Sequence, residues 1–126
     1  MRSQVDRIGY LEQLHAQYNR DEFSGKLNTI TLLIKKSKTK DGWYEYVTEK
    51  RDGSIQDAWY PRRDMLPKAN IVITEGCWDE DIVEGTMLHE MLHQYQTEVL
   101  DRRTSHDAIF TSMARRLERK YKFRVR

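Results

Sequence analysis

The stretch His89-Glu90-Met91-Leu92-His93 decides how the chain reads. On an α-helix, positions i and i+4 share a face one turn apart. Two imidazoles so placed can grip one divalent metal ion. The glutamate after the first histidine falls beside that ion, within reach of a water bound to it. An H-E-x-x-H pattern of this kind is the core of a zinc-dependent peptidase. The competing reading is an amphipathic helix that happens to carry two histidines.

Working outward, a glycine-ended strand precedes the motif. Ile71-Val72-Ile73 lies in a short apolar run, expected as a strand over Asn70 to Thr74 and ended by Gly76. Asp79, Glu80 and Asp81 suit a helix N-terminus, where carboxylates complement the helix dipole. The motif helix is therefore expected from about Glu80 to Leu100, with Ile82, Leu88, Leu92, Tyr95 and Val99 as core candidates. Gly85 lies one turn before His89 and leaves room there, for a substrate or for close packing. After a break at Asp101 to Ser105, Thr104 and Asp107 have capping-box spacing. A last helix carries Ile109, Phe110, Met113, Leu117 and Tyr121 on its apolar side.

The N-terminal half supplies the rest of an α+β domain. Val5, Ile8, Leu11, Leu14 and Tyr18 recur at helical spacing, so a helix is expected from about Ser3 to Arg20, with Ser3 as its cap. His15 within it reads as a packing or surface histidine. Gly25 marks a turn, with Phe23 and Leu27 plugging the core on either side. Strands are expected over Asn28 to Lys35, Trp43 to Thr48 and Ile55 to Tyr60, punctuated by Asp41-Gly42 and Asp52-Gly53. Asp41-Gly42 reads as a hairpin-type turn, and the tract Lys35 to Arg63 suggests a β-meander, with a loop or short turn over Pro61 to Lys68.

Composition bounds the alternatives. The 126 residues make one domain, 1–126, and carry a net charge of +2, so the total charge points to no partner. Cys77 is alone, which excludes an internal disulfide and a multi-cysteine zinc ribbon. Met1 to Gly9 carries no apolar h-region and no apolar run reaches membrane-spanning length, so no secretory signal, a cytoplasmic, reducing compartment and a monomer are expected, with no membrane partner. Seven basic residues fall between Arg115 and Arg126, and the tract Lys35 to Arg63 mixes bases with aromatics. Such a mixture can hold single-stranded nucleic acid by charge and stacking. A half-buried sheet with a solvated lysine face and a solvated helix end, with a basic tail over about 118–126, is the simpler reading.

A zinc ion needs a third ligand. Gln96 and Val99 stand where one peptidase class would place glycine and histidine, and Ser112 to Ala114 where another would place glutamate. His106, thirteen residues after His93 and at the start of the next helix, is the best candidate, ahead of Asp101 and Glu98.

At this point the chain resembles the SprT-like metallopeptidases, which include the Spartan proteases. The resemblance rests on Tyr18-Asn19 with Phe23-Ser24-Gly25-Lys26-Leu27, on Gly42-Trp43-Tyr44, on Ile71-Val72-Ile73, on His89 to His93, and on His106-Asp107-Ala108-Ile109-Phe110. Asp107 replaces the glycine usual in that last segment. The family likeness covers about Tyr10 to Leu117. It implies a compact zincin-like fold: an N-terminal helix, a small mixed or antiparallel sheet, the motif helix and a C-terminal helix. It implies one Zn²⁺ on His89, His93 and His106, Glu90 as the general base, and a protein or peptide substrate. It also implies an extended substrate pairing with a sheet edge, for which the Ile71 to Thr74 strand is the candidate. Asp101, Glu98 or Asp107 are candidates to orient a ligand histidine. Two other classes stay open: a nucleic-acid-associated module whose metal is structural, and a regulatory protease specific to one partner.

Overall fold

The computed structural model describes residues 3 to 49, 55 to 57 and 66 to 125. Helix α1 spans Gln4–Glu22, and the Ser3 hydroxyl accepts from the Asp6 amide at 3.2 Å, so the cap falls where the sequence puts it. Leu11, Leu14 and Tyr18 are buried at three- and four-residue steps, while Val5 is exposed and lies off the apolar stripe. The helix ends in a staple. The Asn19 side chain donates to the Leu27 carbonyl at 2.8 Å and accepts from the Leu27 amide at 3.0 Å. Between these two residues the backbone turns through Ser24 and Gly25 at φ 54° and 70°. Glycine meets that left-handed requirement without a Cβ penalty. Phe23 and Leu27 are buried on either side of the turn.

Four strands follow: β1 Thr31–Lys35, β2 Gly42–Glu49, β3 Ile55–Asp57 and β4 Leu66–Thr74. They form one mixed sheet in the order β1-β4-β2-β3. β1 runs parallel to β4, and β2 runs antiparallel to both β4 and β3. The expected meander is thus only half right. β2 and β3 pair as neighbours, but β4 lies between β1 and β2, and Asp41-Gly42 closes no hairpin. Burial explains the insertion. Ile71, Val72 and Ile73 are each 0 % exposed, as befits a strand covered on both faces. Of the β1 run only Leu32 is fully buried, as befits an edge. Consequently the Ile71 to Thr74 strand cannot take a substrate strand, because both its sides are paired. Among the described residues the sheet's free edges are β1, β3 and the part of β2 from Gly42 to Tyr46 that β3 does not cover. Strand β4 also starts before the expected Asn70, and Pro67 is tolerated where β4 outruns β1. The Asp52-Gly53 turn, the far end of the third expected strand and Pro61 lie outside the described residues.

Beyond β4 comes a short helix α2, Gly76–Asp79, then α3, Val83–Glu98, and α4, Ala108–Tyr121. The acidic cluster does not cap α3. Ile82 is the N-cap, Asp81 sits at φ 58°, and no side chain closes the N-terminus. α3 starts later than expected because Glu80 and Asp81 are spent on the link between two helices. α4 is capped by Asp107, whose carboxylate accepts from the Phe110 amide at 2.9 Å, rather than by Thr104. This gives the aspartate a role where the resemblance leads one to expect glycine. Ile109 is exposed, and Phe110, Ala114 and Leu117 carry the buried stripe.

The two terminal helices are tied by Glu22, whose side chain is 1 % exposed. It accepts from Lys120 Nζ at 2.7 Å and from the Tyr121 hydroxyl at 2.8 Å. The basic C-terminal segment is not a free tail either: residues 118–121 belong to α4, and Val125 joins the core. Gly85 makes this docking possible. A Cβ there would stand 1.9 Å from the Arg124 carbonyl oxygen, so the room beside the motif serves packing. Gly85→Ala is therefore expected to push residues 123–125 off α3. An overpacking cost of about 1–3 kcal/mol exceeds or cancels the helix-propensity gain of about 1 kcal/mol. A lower melting temperature with faster proteolytic trimming of the C-terminus checks this, and unchanged trimming contradicts it.

Candidate metal centre

Helix α3 is buried along most of its length, with Met87, Leu88, Met91 and Leu92 at 0–1 % exposure. Those residues lock its rotation about its own axis, which aims His89 and His93 toward α4. The third imidazole arrives from the loop between the helices. His106 lies one residue before the Asp107 cap, not in the first helical turn as expected. His106 Nε2 stands 3.2 Å from His89 Nε2 and 3.2 Å from His93 Nε2. The ligand atoms of the three histidines all lie within 4.8 Å of one another. They form the only such potential metal-holding group among the described residues.

This donor set fits a tetrahedral divalent ion. Two nitrogens bound to one zinc at about 2.0–2.1 Å stand about 3.3–3.4 Å apart. The His106 Nε2 atom, 3.2 Å from each of the other two, meets lone-pair repulsion there unless a proton or a cation lies between the nitrogens. The Phe110 ring floors the cluster, its centroid 5.0 Å from His89 and 4.8 Å from both His93 and His106. An apolar floor fixes the rings' positions without competing for the metal.

Electrostatics agree. Burial, followed by the neighbouring His93 and His106, pushes the His89 imidazole down to about 3. Burial likewise lowers His93, against the opposing hydrogen bond to Gln96. Burial therefore favours the neutral form of the His89 and His93 rings, the form that ligates a metal. Glu90 is 4 % exposed, and its carboxylate lies 4.0 Å from His89 Nε2. Burial pushes its carboxyl up to about 8, with Lys40 pulling weakly the other way. A cation held by the adjacent imidazoles favours the carboxylate and draws that value down.

A pH prediction follows for the metal-free protein. The folded His89 has a depressed pKa, so its contribution to stability is fully present above about 6.5. It is lost as pH falls from there toward about 3, because only the unfolded imidazole accepts the proton readily. Melting temperatures between pH 7 and pH 4 are expected to fall less steeply in His89→Asn than in wild type. Parallel slopes would contradict the assignment.

Of the rival ligands, Glu98 is engaged elsewhere: it accepts from the Asn28 amide at 2.7 Å and from Gln94 at 2.9 Å. Asp107, a candidate for orienting a ligand histidine rather than for binding the metal, caps α4 and pairs with Arg102. Neither orients a ligand ring. That position belongs to Gln96, whose Oε1 lies 2.9 Å from His93 Nδ1. In the sequence Gln96 stands out only as a mismatch to a glycine. Its spacing three residues after His93 is the signal that it shares that histidine's face. His15, as expected, is a packing residue, buried and 2.8 Å from Gln94 Oε1.

No described helix is long and apolar enough to cross a membrane. Among known proteins, the model of the SprT-like family matches residues 11–126. No curated protein and no solved structure matches significantly.

Proposed function

The chain belongs to the SprT-like family, and from that premise we propose that it is a zinc-dependent endopeptidase. One observation carries the reading: three imidazole nitrogens converge with a buried carboxylate 4.0 Å from one of them. His89, His93 and His106 would hold one ion, and a three-imidazole set suits zinc among the common divalent metals. A zinc ion held there supplies Lewis acidity to the scissile carbonyl and to water. Glu90 is the group that takes the proton from the attacking water and returns it to the departing amine nitrogen. Its burial keeps bulk water from competing for that proton. Phe110 and the Gln96 amide hold the ligand rings in place. The peptide binds extended along a free sheet edge, β1, β3 or the part of β2 that β3 leaves uncovered, since β4 is paired on both sides.

The test is cleavage of an unstructured protein substrate by the chain stripped with a chelator, then resupplied with zinc. Hydrolysis lost on stripping and restored by one equivalent of zinc is expected. Cleavage that survives removal of all metal would sink the reading.

A second reading, association with nucleic acid, has one supporting observation. Lys35 Nζ and Lys40 Nζ each lie 5.9 Å from the Trp43 ring centroid, and Lys36 and Lys38 are exposed between them. Substrates carried on nucleic acid would then be the preferred ones. Binding of a single-stranded oligonucleotide that weakens steeply with salt supports this, and salt-independent or absent binding rejects it.

A further inference from the structure

We propose that Gln96 is a positioning residue that sets the tautomer of His93 and pins the loop that delivers His106. The inference rests on the metal-site reading above and extends it to a residue that binds no metal itself.

The hydrogen bonds leave no freedom in the assignment. Gln96 Nε2 lies 2.8 Å from the Ser105 carbonyl oxygen, and Gln96 Oε1 lies 3.2 Å from the Ser105 amide nitrogen. A carbonyl only accepts and a backbone amide only donates, so the side-chain amide has one orientation. Its Oε1 is then the atom facing His93 Nδ1 at 2.9 Å. An oxygen without a proton requires Nδ1 to carry one. The Nε2 lone pair of His93 is thereby free, and it faces His106 Nε2 at 3.2 Å.

The same side chain joins the two elements that bear the ligands. Ser105 immediately precedes His106, and the Gln96 backbone carbonyl also accepts from the Arg102 amide at 3.1 Å. Gln96 is 2 % exposed, so these bonds face little competition from water. His106 itself is exposed and lies outside any helix, so nothing in its own surroundings fixes it as firmly. A glutamine three residues after the second motif histidine thus acts on two ligands at once. Loss of such partners costs about 10–100-fold in metal affinity.

The experiment uses the full chain and two readouts. Zinc affinity is measured by competition with a chromophoric chelator, and the His93 tautomer by long-range ¹⁵N–¹H spectra of the metal-free protein. Wild type is expected to show His93 protonated at Nδ1. Gln96→Met, of similar volume, is expected to lose that tautomer preference and to bind zinc about 10–100-fold more weakly. Gln96→Glu keeps an acceptor for His93 but sets an oxygen against the Ser105 carbonyl. It is expected to retain the tautomer yet bind zinc more weakly, with the deficit vanishing in a His106→Ala background. If Gln96→Met does not fold, Gln96→Glu carries the test alone. A wild-type His93 protonated at Nε2, or variants with wild-type affinity, would overturn the proposal. A wild type that binds no zinc defeats the peptidase reading, and the tautomer measurement still decides the role of Gln96.

Discussion

Glu90→Gln is expected to keep the fold and the metal while hydrolysis falls by about 10²–10⁴-fold, the usual worth of a positioned general base. Glutamine matches glutamate in size and fills the same buried space, where Glu90 is 4 % exposed. It cannot take a proton at neutral pH. The substitution also removes a carboxyl that burial pushes up to about 8. In the metal-free protein this makes the variant slightly more tolerant of alkaline pH. The raised carboxyl contributes stability below its unfolded pKa that is lost as pH rises toward 8, and glutamine has no such loss. The zinc-loaded variant should therefore separate chemistry from folding: equal zinc content, a comparable melting temperature and negligible turnover. Turnover at the wild-type rate would show that Glu90 is not the base.

His106→Ala is expected to lower zinc affinity by more than about 100-fold, from about one ion per chain to little after dialysis, because two imidazoles fall short of the three protein ligands that hold a catalytic zinc ion. The fold should survive. His106 is exposed, and α4 is held by its own cap at Asp107 and by Phe110, Ala114 and Leu117. Metal content beside the melting temperature of the metal-free chain makes the distinction. Full zinc retention would mean that the third ligand lies elsewhere; collapse of the metal-free fold would mean that His106 has a structural role that its exposure does not suggest.

Much of the centre was legible before the fold. His89, Glu90 and His93 are fixed by helical geometry alone, and His106 by spacing together with family likeness. Helix α1 and its Ser3 cap also follow from local rules, since both depend on residues three or four positions apart. The sheet was not legible in the same way. Pairing of β1 with β4 joins Leu32 to Ile71 and leaves no local trace, so local rules point to neighbouring strands as partners instead. The acidic run Asp79 to Asp81 misled for a related reason: dipole logic gives a preference for a helix start, while the left-handed Asp81 and the short α2 arise from tertiary fitting. Thr104 and Asp107 both have capping chemistry, and only the path of the loop past Gln96 decides between them. Gln96 itself carries no signature beyond its spacing, because glutamine is ordinary on helices.

Glu22 reaches Lys120 and Tyr121 across 98 and 99 positions of chain. In a polypeptide leaving the ribosome, α1 must wait for nearly everything that follows before its last turn can find its partners. His89 and His93 likewise emerge before the loop and helix that bring His106 to them. The three imidazoles are thus complete only once the loop before α4 has been made, and a nascent or truncated chain that ends before His106 carries the motif without its third imidazole.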